Sequence, residues 1–492
     1  MNSEKVEQIT FPEPDAVLTE KPSVKKYLKY LLFFGPGAIL ASMTIGQGQL
    51  ILGPHIGAWA GYGLLWLITV NVASYVIAYI SSRFTMLSGI SLMDMFAIKT
   101  KKGWFNWLLI GIMLIFIPTF TASIITTIGQ SLAWILGFGN ETYIIWGIAA
   151  CLIAGFLVLF ARYKFLEHVQ AFFIVVLGAG AIISALFIFQ KFNPNIFELT
   201  LSFFRIGNVP SYPDWVLASS SATPTPVPLL MLGYLGTLTI SIIPLVSYLG
   251  WVKVKKWGVF KDKEDPNVFS EKCFDSFRKE GKITYLPNTI DEVKKSRLLL
   301  RPIHIDLIIA FIIVSIVSVA YVVAGRFLLG IQGDGSILLP SDMDLIKTQA
   351  VIFTQFAYWL ELLFKISVFF ALFGTIYAGF EAATRMLYET SKHIIKRVHK
   401  TSYRRFMGYL LVYILVTGIP LSLLIYNGLS VMLVLSITLL FLGVIGVIIY
   451  GIGAVYMTQK ILPEKYKFGK KGLILAIFFI VLICIPVLSL IL

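Results

Sequence analysis

The chain has 492 residues, of which 57% are apolar and only 14% charged, and its mean hydropathy is +0.83. Ordinary soluble proteins carry about 25% charged residues, and a water-soluble globule of this length cannot hide so much apolar surface; disorder, a coiled coil and a disulfide-stapled secreted domain are excluded by the same composition. The net charge of +15, from 41 Lys and Arg against 26 Asp and Glu, points either to a nucleic-acid partner or to a membrane topology, and the placement of the basic residues along the chain separates the two.

In chain order, residues 1–28 form a polar tail with no apolar stretch of the kind that makes a cleavable signal peptide. Eleven apolar segments follow, at 29–57, 61–86, 104–136, 142–161, 165–190, 227–251, 304–330, 349–384, 406–426, 429–458 and 472–492. Their length and their lack of two-residue alternation predict membrane helices rather than strands. The expected fold class is therefore an all-α polytopic membrane protein. With the N-terminus placed in the cytoplasm, 36 of the 41 basic residues fall on the cytoplasmic side and four on the other, while Lys365 lies inside a span. This bias supports both the span count and an N-terminus-in, C-terminus-out orientation in the cell membrane. The basic excess then needs no nucleic acid. The long charged segment 252–303 mixes Asp262, Glu264, Asp265, Glu271 and Asp275 with its lysines, which predicts a solvated cytoplasmic loop touching anionic headgroups. Cys151, Cys273 and Cys484 form no metal-binding or disulfide framework.

Two spans carry interruptions. The first contains Gly35-Pro36-Gly37 and then Gly46-Gln47-Gly48-Gln49, with Pro54 and His55 beyond. Each glycine costs a helix interior about 1 kcal/mol, and backbone groups freed at such a break are tolerated only facing protein or a cavity. The sixth span holds Gly233, Gly236, Thr237, Thr239, Ser241, Ile243 and Pro244 close together; Pro244 lacks the N–H that would bond residue 240. Close packing by small residues explains either break alone. Both breaks, however, open a five-helix set, spans 1–5 (29–190) and 6–10 (227–458), joined by an outer loop at 191–226 and followed by an eleventh helix in 459–492. Five is odd, so the second set starts from the opposite face. That is the pattern of an inverted-repeat transporter with its site between discontinuous helices. The expected site comprises Gly46, Gln47, Gly48, Gln49, Thr239, Ser241, Ile243 and Pro244.

The run GPGAILASMTIGQGQLILGPHIGAWAGYGLLW at Gly35–Trp66 resembles the NRAMP family of metal-ion transporters, in the GP start, the glycine-containing break and the closing GYxLLW. The resemblance implies a LeuT-type fold of five plus five helices with one more, and transport of a divalent metal cation of the Mn, Fe or Mg class with proton coupling. The departures fall on the family's metal motif. Its Asp-Pro-Gly-Asn stands here as Gly46, Gln47, Gly48 and Gln49, its Met-Pro-His as Ile243-Pro244-Leu245, and the acidic pair of its proton route corresponds to Ser123 and Thr126. A carboxylate 4 Å from a divalent ion is worth roughly 8 kcal/mol at an effective dielectric near 20, and here only neutral groups remain. Gln47 and Gln49 are then the expected metal ligands, holding a largely hydrated ion. A small neutral or zwitterionic solute such as an amino acid fits the same chemistry, and a non-transporting membrane sensor is a third reading.

Other polar residues are weighed against plainer roles. His55, Ser123, Thr126 and Glu381 are the coupling or gating candidates. His55 titrates in the physiological range unless its surroundings shift it, but an interfacial role is as consistent; Glu381 precedes Arg385 by one helical turn and fits a snorkelling pair as well as a gate. Glu361 and Lys365 have the spacing of a neutralising helix pair. Asp306 opens span 7 and fits a helix-dipole role. No zinc-protease spacing, phosphate loop or phosphorylated-aspartate motif occurs, so neither an enzyme nor a cofactor is expected. The expected partners are the transported ion or solute and the lipid bilayer.

Overall fold

The computed structural model describes residues 8–160, 163–219, 224–340, 347, 354 and 358–490. Apart from a two-residue antiparallel pairing of Gly330–Ile331 with Ile337–Leu338, its elements are helices. Among the described residues nine helices are long and apolar enough to cross a membrane.

The first expected span is two half-helices, α1 (Pro36–Thr44) and α2 (Gln47–Ala60). Residues 29–35 fall outside it: Pro36 sits at the first helical position, where its missing N–H costs nothing, and a short 3-10 turn at Tyr30–Phe33 precedes it. Then come α3 (Trp66–Ser88), the short α4 (Leu92–Lys99), α5 (Trp104–Leu136), α6 (Tyr143–Phe160) and α7 (Tyr163–Phe192). The sixth span is again split, into α8 (Val227–Leu238) and α9 (Ile242–Val254). Pro244 lies in the first turn of α9, where the N–H groups have no helical partner.

The segment after α9 is folded, not merely solvated as its composition suggested. It carries α10 (Pro266–Glu280), capped by the Asp265 carboxylate, and α11 (Ile290–Leu299). Cys273, Phe274 and Phe277 are buried, giving this loop an apolar face against the membrane domain. The N-terminal tail is strapped to it: the Ile9 N–H donates to the Tyr285 carbonyl at 3.0 Å, the Phe11 N–H to the Glu292 carboxylate at 2.6 Å, and Lys261 pairs with Asp15 at 2.8 Å.

The chain continues through α12 (Arg301–Leu328), α13 (Leu360–Ser391), α14 (Tyr403–Tyr426), α15 (Val431–Leu439), α16 (Gly446–Ile461) and α17 (Lys470–Cys484). The eighth expected span, 349–384, is shifted: its helix begins at Leu360 and runs on to Ser391, and most of 349–357 lies outside the described residues. Between α15 and α16 a π-helical stretch, Leu440–Ile445, interrupts the tenth span. Close backbone approaches hold the bundle. A Cβ on Gly57 would fall 2.2 Å from the Val322 carbonyl, and one on Gly325 would fall 2.1 Å from that of Pro54, so α2 and α12 touch along their backbones. Such contact is the packing that membrane helices use in place of a hydrophobic drive.

Candidate functional site

The two breaks meet. Gly48, the second residue of α2, lies so near Thr237 that a Cβ there would come within 1.9 Å of the threonine methyl, and the Gln49 side-chain amide points at the Thr237 carbonyl, 3.5 Å away. A cavity of about 70 Å³ opens beside them, room for several waters. Thr44, Gln47 and Gly48 line it from the first break, and Thr237, Thr239, Ser241, Ile243 and Pro244 from the second. Apolar and small side chains of α5, α13 and the π stretch complete the wall.

The polar groups at this site differ in how they are held. Gln47 is 1% exposed, its Oε1 accepts the Ser123 hydroxyl at 3.4 Å, and its Nε2 is buried without a hydrogen-bond partner. The Thr239 hydroxyl donates to the Gly443 carbonyl at 2.6 Å. That carbonyl lies in the π stretch, where the ordinary i to i−4 ladder is disturbed. Gly236 and Gly443 permit the contact: a Cβ on Gly443 would lie 2.5 Å from the Gly236 Cα. Gly46, expected from the resemblance to stand where the family has its aspartate, ends the break as the N-cap of α2. A Cβ there would fall 1.7 Å from the Thr375 hydroxyl oxygen, which donates to the Ala371 carbonyl one turn earlier in α13 at 2.8 Å. The space for a side chain at residue 46 is thus taken by Thr375.

The expected site residues therefore divide. Gln47, Gly48, Thr239, Ser241, Ile243 and Pro244 line the cavity, with Gly46 and Ser123 immediately behind it. Gln49 does not line it; its side chain turns to the second break, and its Oε1 is buried without a partner. Thr126 donates to the Ala122 carbonyl of its own helix. His55 is buried away from the cavity, its Nδ1 3.2 Å from the Pro340 carbonyl oxygen. Glu381 pairs with Arg385 at 2.6 Å and accepts the Trp251 indole N–H at 3.0 Å and the Tyr403 hydroxyl at 3.2 Å. Thr237, Thr375 and the π stretch were not singled out from the sequence. Thr237 stood within the polar run of span 6, whereas Thr375 lies in an ordinary apolar helix and carries no signal of its own.

The ends of the bundle are tied by charge. On the side of the N-terminal tail, the fully buried Asp306 of α12 caps α1 rather than its own helix. It accepts the Gly35 N–H at 2.9 Å, the Gly37 N–H at 2.8 Å and the Tyr248 hydroxyl at 2.7 Å. Oxygen acceptors at a helix N-terminus satisfy the orphan N–H groups and oppose the dipole; the sequence reading put Asp306 at the start of its own helix, but α12 begins at Arg301, so Asp306 lies in its second turn and serves α1 instead. On the same side Lys392 bridges Asp94 at 3.6 Å and Glu389 at 2.9 Å, and Lys253 lies 3.8 Å from Glu389. Burial disfavours the Lys392 charge, but the Asp94 and Glu389 carboxylates outweigh it and raise its pKa. His393 packs at a tilt against Phe274 with ring centroids 4.4 Å apart and sits 3.4 Å from Asp94; burial holds its pKa below the ordinary value despite that carboxylate. At the opposite end Arg326 pairs with Glu198 at 3.1 Å over the Tyr62 ring, and Glu361 pairs with Lys365 at 2.9 Å.

No protein-family model matches the chain. Two curated relatives, the divalent metal cation transporters MntH of Listeria monocytogenes and Listeria innocua, are each 26% identical over 158 residues, 32% of this chain and 34% of theirs. The chain thus matches about a third of their length. Among solved structures, a mutant of the Eremococcus coleocola manganese transporter superposes with a TM-score of 0.64 at 13% identity, over 99% of this chain and 90% of that one. MhsT in complex with L-phenylalanine superposes with a TM-score of 0.52 at 16% identity, over 92% and 98%. The split helices and these superpositions define a multi-pass membrane protein with the LeuT-type transporter fold. Within that class, the local match to MntH makes the chain similar to NRAMP-type metal transporters over about a third of its length, and the superposition on the manganese transporter shows the shared fold.

Proposed function

We propose that the chain is a secondary-active transporter of a divalent metal cation, of the Mn, Fe or Mg class, coupled to protons and working by alternating access about its two broken helices. The observation that carries this reading is the meeting of both breaks on one polar-lipped cavity in a chain with local similarity to MntH. The ion would be held, largely hydrated, by the Gln47 amide, the Thr239 and Ser241 hydroxyls and half-helix carbonyls, with Gln49 bracing the second break. An amide flip at Gln47 turns its buried, unpartnered end from donor to acceptor at no covalent cost. Coupling is assigned to His55, Ser123, Thr126 and Glu381 as candidates; Ser123 is the one hydrogen-bonded to a cavity-lining side chain. The proposed repeats are 29–190 and 227–458, and the basic-residue bias supports a cytoplasmic N-terminus, an outer C-terminus and a place in the cell membrane.

One observation favours a second substrate class. Among the described residues no group of three or more His, Cys, Asp or Glu is placed to hold a metal ion, so a small neutral or zwitterionic solute suits the same neutral cavity. Purified protein in liposomes separates the readings. Uptake of Mn, Fe and Mg should exceed that of amino acids and rise with an imposed proton gradient, and Gln47→Ala should weaken it at least tenfold. Amino-acid uptake with no metal uptake would overturn the metal assignment, and the absence of any gradient-driven accumulation would overturn transport itself.

A further inference from the structure

A second cavity, of about 280 Å³, lies on the side of the N-terminal tail, away from the broken helices. Its walls are the end of α3, α11 and the 465–468 segment between α16 and α17. Four cationic side chains line it, Arg83, Arg297, Lys465 and Lys467, and no carboxylate is among the lining residues.

The cations differ in how they are satisfied. Lys467 pairs with the exposed Glu464, and Lys465 donates to the Asn288 carbonyl at 2.6 Å. Arg83 lies deepest. Its Nη2 donates to the Tyr466 carbonyl and its guanidinium lies 4.6 Å from the centre of the Phe468 ring, but its Nη1 is buried with no hydrogen-bond partner. A buried guanidinium donor without an acceptor is rare in native proteins because it forfeits its solvation. Water in the cavity would satisfy that N–H but would leave four cations, only Lys467 of them paired with a carboxylate among the described residues, around one space. A polyvalent oxyanion satisfies the donor and offsets the repulsion together. Phosphate suits the site best, since a guanidinium engages two of its oxygens at once and lysines add point charges.

We propose that this cavity binds a phosphate-bearing anion, either free phosphate or the phosphomonoester headgroup of a lipid in the adjoining leaflet. The bound group would join α3 of the membrane domain to α11 and the 465–468 segment. The same two elements anchor the tail that leads into α1, through the Glu292 carboxylate that accepts the Phe11 N–H and the Tyr466 ring packed 6.2 Å from that of Phe11. Occupancy would therefore stabilise the tail-side end of the whole chain.

The test uses full-length protein and thermal unfolding. In detergent, millimolar inorganic phosphate should raise the unfolding temperature above that in chloride at equal ionic strength. In nanodiscs, phosphatidic acid should raise it above phosphatidylcholine and above phosphatidylglycerol, which carries the same kind of charge as a diester. A shift in the first arm identifies a soluble anion, and a shift in the second alone identifies a headgroup. Arg83→Gln removes a buried packing group and tests folding as much as binding, so the informative variants are the exposed Arg297→Gln and Lys465→Gln. Each should keep the unliganded unfolding temperature and weaken the apparent affinity at least tenfold. No shift in either arm, or shifts undiminished in both variants, would overturn the proposal.

Discussion

Replacing Gly46 by alanine asks whether the missing carboxylate is a lost ligand or a remodelled site. The added Cβ would sit 1.7 Å from the Thr375 hydroxyl oxygen and 2.8 and 2.9 Å from its Cβ and Cγ2. The threonine cannot rotate away freely, because it is 1% exposed and its hydroxyl is bonded to the Ala371 carbonyl. Overpacking of this kind costs about 1–3 kcal/mol. An offset of about 0.4–1 kcal/mol comes from the reduced freedom of the unfolded chain when glycine becomes alanine, so the net loss expected for Gly46→Ala is about 1–2 kcal/mol. Thr375→Ala removes the nearest atom and leaves a 2.8 Å contact that a small helix shift relieves. The double variant should therefore recover at least half of the loss, a coupling within the 0.5–3 kcal/mol typical of touching residues. Thermal unfolding of the four proteins in one detergent gives the cycle, and metal uptake in liposomes gives its functional counterpart. Additive effects, or a Gly46→Ala protein as stable as the parent, would show that Thr375 does not fill the position. If the cycle holds, Gly46→Asp with Thr375→Ala is the variant in which a carboxylate can be returned to the break, and it should bind manganese more tightly than Gly46→Asp alone.

Two further outcomes concern the tail-side end. Asp306→Ala strands the Gly35 and Gly37 N–H groups and the Tyr248 hydroxyl in a buried place; at about 1–3 kcal/mol per unsatisfied group, with partial relief by water, the loss should reach about 3–5 kcal/mol, and cysteine accessibility at Thr44→Cys should rise as α1 loosens, whereas unchanged stability would remove Asp306 as the anchor of α1. For His393 the folded pKa lies below the ordinary 6.5, so the unfolded chain binds the proton first; its contribution to stability is complete above about pH 6.5 and is lost as the pH falls below it. Asp94, Lys392, Glu389 and His399 all face this ring. The unfolding temperature should fall between pH 7.5 and 5.5, His393→Gln should flatten that slope, and an equal slope in the variant would place the effect elsewhere.

What the sequence determined by itself was the part governed by the solvent. The scarcity of charge, the long apolar segments and the clustering of Gly, Gln, Thr and Pro at residues 46–49 and 233–244 are local properties, and membrane solvation acts on them locally. Both helix interruptions lie where those residues predict them, at 45–46 and 239–241. Tertiary structure decided everything that depends on a partner from a distant segment. Gln47 meets Ser123, 76 positions on, whereas Gln49, two positions beyond Gln47, turns away to Thr237. Asp306 lies in the second turn of its own helix yet caps another, 271 positions earlier at Gly35. Thr375 occupies the space at Gly46 from the middle of a helix that reads as ordinary apolar wall. Side-chain type states what a group can bond; only the packing of the helices states which group is within 3 Å of it, and at this site that difference separates the residues that line the cavity from those that support it.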